Sequence, residues 1–152
     1  MTARFLVVVV TAGLLASACG RSAAPSGSGP GRSSGPPPCL TGFTPPEGFH
    51  PTERFTERYS DHLGVRQGYR DDLGRELHVF AGIPGEFGEG LPPAGSATVT
   101  TGQTAVLLGQ DEVWVLSWDT EGPCAARAVL GNGFERSEFL GTLQEAGVVE
   151  GP

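Results

Sequence analysis

Short apolar runs separated by turn residues dominate the chain after residue 60. The clearest run is 113–118, in which β-branched and aromatic residues lie between a turn pair, Asp111 and Glu112, and a second turn at 119–123. We expect this run to be the most buried strand of a small antiparallel sheet. Further strands are predicted at 65–70, 75–81, 97–101, 104–109 and 125–130.

Three other segments refine this predicted sheet. Residues 71–74 are typical of a hairpin turn, because Gly74 can adopt a positive φ. Residues 54–61 fit either an edge strand or a helix, and we favour the strand. Residues 40–51 contain three prolines and predict extended chain laid over the domain, and residues 82–95 predict a long Gly/Pro loop of the kind that is functional or mobile.

One helix is predicted, at the C-terminal end. Glu135 suits the N-cap and Glu138 the N3 position, where acidic side chains favour the positive end of the helix dipole. Phe134 and Phe139 have the spacing of a hydrophobic staple, and Gly147 marks the end of the helix. Strands followed by one helix indicate an α+β fold, with an antiparallel sheet of about 5–7 strands and the helix packed on it.

The first 18 residues have the layout of a secretory signal peptide. Arg4 precedes an apolar run at 5–15, which is shorter than the roughly 20 residues of a membrane-spanning helix, and small residues then lead to Cys19. Two processing routes are open. Ala16 and Ala18 suit an ordinary signal peptidase, which would release a secreted protein. Residues 15–19 also resemble a bacterial lipobox, in which Cys19 is lipid-modified and becomes the new N-terminus.

The cysteine count favours the lipid anchor. Three cysteines are an odd number for an oxidising compartment. If Cys19 carries lipid, Cys39 and Cys124 remain, and we expect them to form the one disulfide of the domain. The alternative is a Cys/His metal site, but no close Cys-x-x-Cys pair supports it.

The anchor would be followed by a tether. Cys19 and the linker after it, residues 19–38, contain no large apolar side chain, and their Gly/Ser/Pro composition predicts a flexible, disordered spacer. The single folded domain is therefore expected at 39–152, held off the membrane.

The charge of that domain excludes one class of partner. All ten basic residues of the chain are arginine, as is typical of GC-rich genomes, and from Cys39 onward 17 acidic residues and seven arginines give a net charge of −10. Nucleic-acid backbones would repel such a domain, so we expect no nucleic-acid partner.

Two pairs of side chains are candidates for ligand contacts. Arg66 and Arg70 lie on one side of a predicted strand and could form a patch for a carboxylate or a wall polymer, although pairing with nearby acidic residues is the interpretation that we favour. Trp114 and Trp118 also share one face of a strand. They are either core beneath the helix, which we favour, or an exposed pair that stacks on sugars.

No motif for catalysis, a cofactor or a metal is found. The serines lack a Gly-x-Ser-x-Gly elbow, and the glycine-rich segment 82–90 lacks the lysine of a phosphate loop. A zinc or copper site from His62, His78 and a carboxylate is conceivable, but the histidine spacing does not support it. We expect no catalytic residue, although a small wall-active hydrolase using Asp61, Glu76 or His78 stays an alternative.

Residues 99–105, 112–118 and 133–140, with Cys124 between the last two segments, are similar to uncharacterised lipoproteins of high-GC Gram-positive bacteria. They also resemble sheet-plus-helix domains of unknown function that lie outside the membrane in Gram-positive bacteria, some attached to anti-sigma-type sensors. The resemblance implies fold and location but no activity.

The function expected from the sequence is that of a lipoprotein on the extracytoplasmic face of the cell membrane. Its domain would be a non-catalytic binding or interaction module with a protein or cell-wall partner. An extracytoplasmic sensor or regulatory domain is a further alternative.

Overall fold

A computed structural model describes residues 37–151 of the chain. The elements are β1 (His50–Arg58), β2 (Leu63–Arg70), β3 (Glu76–Ala81), β4 (Pro93–Thr98), β5 (Thr104–Gln110), β6 (Val113–Asp119), β7 (Ala126–Asn132) and α1 (Arg136–Glu145). The predicted signal peptide, the lipidation of Cys19 and the linker up to residue 36 lie outside the described residues. Within residues 37–151 the predicted antiparallel sheet, the one C-terminal helix and the Cys39–Cys124 disulfide are confirmed, and the sheet and helix together fit an α+β fold.

The strands form one antiparallel sheet in the order β1-β2-β3-β7-β6-β5-β4. Strands β1 to β3 make one meander and β4 to β7 make a second, and the two meet where β3 pairs with β7. The loop at 82–92 therefore leads from the middle of the sheet to its far edge, where β4 begins. The predicted strand at 54–61 is β1, an edge strand in which every residue is exposed.

The hairpin turn between β2 and β3 forms as its residues dictate. Gly74 has φ 85°, and its N–H donates to the Asp71 carbonyl oxygen at 3.1 Å. Beyond the turn, Leu77, Val79 and Ala81 are buried on one face of β3, which is the predicted alternation.

Strand β6 is buried on both faces. Val115 and Leu116 are fully buried although their side chains leave opposite sides of the strand. Leu116 belongs to the main apolar core, whereas the loop covers Val115, since a Cβ added at Gly88 would lie 3.3 Å from Val115 Cγ2. The middle position of the sheet belongs to β7, with β6 beside it.

Helix α1 begins at the predicted N-cap. The N–H of Glu135 donates to Glu138 Oε2 at 2.9 Å, and the rings of Phe134 and Phe139 are 6.0 Å apart in the staple arrangement. The helix ends at Glu145, with Ala146 as its C-cap directly before Gly147.

The apolar side of the helix contributes to the core. Phe139 and Leu143 are fully buried and belong to the same cluster as Leu116 and Val129. The Phe139 ring lies against the backbone of Gly131 in β7, where an added Cβ would be 2.6 Å from Phe139 Cδ2. Only a glycine fits beside this ring.

The segment before β1 is fixed at both ends. Cys39 is bonded to Cys124, and its N–H donates to the Leu63 carbonyl oxygen at 2.8 Å. Further along, Phe43 and Phe49 are buried in the core. The predicted extended chain at 40–51 is thus anchored to the sheet by a covalent bond and two aromatic side chains.

Candidate functional site

A cleft of about 270 Å³ opens on the sheet face that carries Leu116 and Trp118. Val79, Trp118 and Val129 line it from the neighbouring strands β3, β6 and β7. The rest of its lining comes mainly from three connecting segments, residues 40–43, 99–101 and 147–148. Parts of the chain that are far apart in sequence therefore converge on one concave surface.

Specific bonds hold these segments in place. The disulfide fixes Cys39, directly before the first segment. In the other two, Thr100 Oγ1 donates to the Gly147 carbonyl oxygen at 2.9 Å, and the Thr100 N–H donates to the Val148 carbonyl oxygen at 3.0 Å. Gly42 and Gly147 have positive φ values of 63° and 70°, which let the chain turn at the cleft. The cleft is therefore built by the fold and does not depend on side-chain packing alone.

Arg127 supplies the charge in the cleft. It lies on β7 opposite Trp118 of β6, and it is the one ionisable side chain in the cleft lining among the described residues. Its Nη1 donates to the Leu40 carbonyl oxygen at 2.6 Å. Burial lowers the pKa of the Arg127 guanidinium, which nevertheless stays charged at neutral pH.

Arg127 has no carboxylate partner within residues 37–151. A guanidinium carries five N–H donors, and only one hydrogen bond from Arg127 to the described residues is formed. A half-buried cation in this state has donors available for an incoming anion.

The two tryptophans have different environments. Trp114 is 7% exposed, belongs to the core, and donates its indole N–H to the Phe134 carbonyl oxygen at 2.9 Å. Trp118 is only partly buried and lines both the cleft and a larger neighbouring groove, which contains residues 85–91 of the loop. Trp114 is therefore scaffold, as we expected, whereas Trp118 is available to a ligand.

Arg66 and Arg70, the predicted anionic-ligand patch, both pair with acidic side chains. Arg66 Nη2 lies 2.6 Å from Glu53 Oε1, and Arg70 pairs with Glu76, with Nε and Oε1 2.9 Å apart. The Arg66 guanidinium also lies 4.5 Å from the centre of the Phe55 ring. These partners offset the charge that an anionic ligand would need, and ligand binding at this patch stays a prediction.

His62 is buried and bonded at both ring nitrogens. Nδ1 lies 2.7 Å from Asp61 Oδ1, and Nε2 lies 2.8 Å from the Gly82 carbonyl oxygen. The hydrogen bond to the Gly82 carbonyl oxygen raises the pKa of His62 most, and the hydrogen bond to the Asp61 carboxylate raises it further. The hydrogen bond between His62 and Asp61 also lowers the pKa of Asp61. A charged imidazolium is favoured here because both ring nitrogens face acceptors.

Of the three residues of the alternative hydrolase, Glu76 and His78 lie together, with His78 Nε2 3.8 Å from Glu76 Oε2, but Asp61 does not join them. Asp61 precedes the first residue of β2, whereas Glu76 pairs in register with Arg70 at its last residue. With a rise of about 3.3 Å per residue, the two carboxylates lie at ends of the strand roughly 20 Å apart. Within residues 37–151, no group of three His, Cys, Asp or Glu side chains is placed to hold a metal ion.

Sequence reasoning missed Arg127. The available signal was a lone arginine inside an otherwise apolar strand, between Ala126 and Ala128. The sequence alone does not show that this arginine lacks a carboxylate partner among the described residues or that it lies beside Leu40, because both facts follow from contacts between distant parts of the chain.

The helix in the described part of the chain, α1, has ten residues and is too short and too polar to cross a membrane. Comparisons of the chain with protein-family models, with curated proteins and with solved structures gave no match.

Proposed function

We propose that the protein is a lipoprotein, anchored through Cys19 on the extracytoplasmic face of the cell membrane, whose domain binds a ligand without transforming it. The observation that carries the proposal is the cleft beside Trp118, in which the Arg127 guanidinium has no carboxylate partner among the described residues. A charged donor in a largely apolar concave surface is typical of binding sites.

The disulfide supports the anchor. Cys39 and Cys124 are bonded to each other, which leaves Cys19 as the remaining cysteine of the three. Cys19 directly follows the small residues that end the predicted signal peptide, where a lipid-modified cysteine would lie. We include in this proposal the placement among lipoproteins of high-GC Gram-positive bacteria.

The linker suits a domain that must reach a partner near the membrane. Residues 20–36 are rich in glycine and serine. If these residues form a flexible chain, as their composition predicts, the root-mean-square end-to-end distance is roughly 20–25 Å, which would place the domain clear of lipid headgroups.

Binding is preferred over hydrolysis because of the geometry of the candidate acids. Asp61 is held by His62 and Glu76 by Arg70, and the two carboxylates lie at opposite ends of β2. An acid and a base must reach one substrate; Asp61 does not reach Glu76 or His78, and Glu76, which lies beside His78, is already paired with Arg70. The proposal also places α1 on the sheet face beside the cleft, for which the contact between Phe139 and Gly131 is the support.

Metabolic labelling with an alkyne-bearing palmitate tests the anchor. We expect the wild-type chain to incorporate the label and to fractionate with membranes, and Cys19→Ala to lose the label. Ser17→Ala is the matched control, since it changes the neighbouring small residue and keeps the cysteine. Labelling of Cys19→Ala at the wild-type level, or of neither chain, would contradict the proposal.

A further inference from the structure

We infer that the cleft beside Trp118 binds a small monoanionic carboxylate that also carries a ring or another flat apolar group. This inference rests on the proposed binding function and names the chemical class of its ligand. The three properties it draws on are the state of Arg127, the charge of the surrounding domain, and the lining and size of the cleft.

Arg127 calls for an anion. Its guanidinium is half-buried, and one hydrogen bond, to the Leu40 carbonyl oxygen, is its only bond to the described residues. The planar guanidinium can present two parallel N–H groups to two oxygens of one ligand, and such charge-assisted pairs are stronger than neutral hydrogen bonds. A ligand carboxylate would replace the water lost by this partly desolvated cation.

A carboxylate fits this site better than a phosphate. Because Nη1 donates to the Leu40 carbonyl oxygen, the N–H groups of Nε and Nη2 stay available on the other side of the guanidinium. These two parallel donors match the two oxygens of one carboxylate. Within residues 37–151 no second cation lines the cleft, and the chain from Cys39 onward carries a net charge of −10. That field repels a dianion about twice as strongly as a monoanion, since the Coulomb energy scales with charge.

The apolar and aromatic side chains that line the cleft beside Arg127 indicate what the ligand carries besides its carboxylate. Val79 and Val129 are apolar, and Trp118 offers an aromatic surface on which a ring can stack. The volume of about 270 Å³ lies just below the usual range for small-molecule sites, which begins at about 300 Å³. The ligand is therefore expected to be of the size of an acylated amino acid or a single sugar acid.

A titration with three probes tests this assignment. The full chain, in detergent micelles, is titrated with hippurate, with its neutral amide hippuramide, and with phenyl phosphate, while the indole N–H signals are followed by NMR. The indole of Trp118 reports on the cleft, and that of Trp114, which is hydrogen-bonded to Phe134 in the core, is the internal reference. We expect hippurate to shift the Trp118 signal and to leave the Trp114 signal in place.

Substitutions connect that shift to the guanidinium. Arg127→Gln should weaken hippurate binding at least about tenfold, since it removes a charged donor pair, and Arg127→Lys should retain part of the affinity. Arg58→Gln is the matched control, because it removes the same charge from the exposed strand β1, and it should change the affinity less than about twofold. An unchanged Trp114 signal shows that each variant is folded.

The outcomes separate the two proposals. Equal binding of hippuramide, tighter binding of phenyl phosphate, an unaffected Arg127→Gln variant, or no shift of Trp118 with any probe would each overturn the ligand assignment. None of these results bears on the lipid at Cys19, which the palmitate label tests independently. Carboxylate binding by an unlabelled chain would keep this inference and overturn the anchor.

Discussion

Removal of the Cys39–Cys124 disulfide should cost the domain a large part of its stability. The bonded cysteines are 85 positions apart. For a loop of that length, the chain-entropy relation gives about 4–5 kcal/mol of stabilisation at 25 °C, through restriction of the unfolded chain. Folded domains are typically stable by about 5–15 kcal/mol, so this single bond accounts for a large fraction of the total.

Two perturbations separate the cross-link from the packing of the sulfur atoms. Reduction of the wild-type chain by dithiothreitol removes only the cross-link. The Cys39→Ala/Cys124→Ala variant removes the cross-link and also leaves space around the side chain of Cys39, which is 1% exposed and lies close to Gly82. We therefore expect the variant to lose somewhat more stability than the reduced wild type, by about 1 kcal/mol.

Urea unfolding followed by tryptophan fluorescence measures both changes, because buried Trp114 becomes exposed on unfolding. With a denaturant slope of about 1.5–2 kcal/mol per molar, the midpoint should fall by roughly 2–3 M. Cys19→Ala is the control and should leave the midpoint unchanged. A loss of less than about 1 kcal/mol in the double variant would refute the reasoning.

Two further predictions concern His62 and α1. The Gly82 carbonyl raises the pKa of His62 above the usual 6.5. The charged His62 side chain should therefore contribute fully to the free energy of unfolding below that pH, and this contribution should be lost as the pH rises through the folded-state pKa. In urea unfolding between about pH 6 and 8, His62→Gln should make the free energy of unfolding less dependent on pH. Gly131→Ala should lower stability by about 1–3 kcal/mol, because the new Cβ meets the Phe139 ring at 2.6 Å. Gly141→Ala in α1, where nothing lies within 4 Å of an added Cβ, should be neutral or stabilising by up to about 1 kcal/mol in the same urea unfolding assay; equal effects of the two substitutions would contradict this.

Features set by a few neighbouring residues could be predicted from the sequence. The turn at Gly74 and the cap formed by Glu135 and Glu138 depend on contacts within about five positions along the chain, and the alternation of β3 follows from the two-residue period of a strand. The pairing of Cys39 with Cys124 was also predictable, because only two cysteines are left once Cys19 is assigned to lipid.

The order of the strands could not be predicted in this way. The junction of β3 with β7 joins segments that are far apart in sequence, and their hydrophobic patterns fit several neighbours equally well. The register of β1 on β2 likewise brings Glu53 to Arg66, 13 positions away, whereas Glu76 lies opposite Arg70 across the local hairpin turn.

The cleft could not be predicted from the sequence either, because it depends on more long-range contacts than the strand order does. It requires the disulfide beside Leu40, the turn at Thr100 and the chain after α1 to converge on Trp118. The sequence of each of these segments, taken by itself, is typical of an ordinary loop. Among the described residues, Arg127 combines partial burial with the lack of a carboxylate partner, and that combination exists only in the folded chain.

Intact-mass and peptide mass spectrometry of the mature protein tests the central claim most directly. If the protein is a membrane-anchored binding lipoprotein, its first residue is Cys19, and the N-terminal peptide carries the mass of a diacylglyceryl group with or without an additional acyl chain. An N-terminal peptide that begins at unmodified Cys19 would show cleavage by an ordinary signal peptidase and a secreted protein. That result, or a chain that still begins at Met1, would contradict the account.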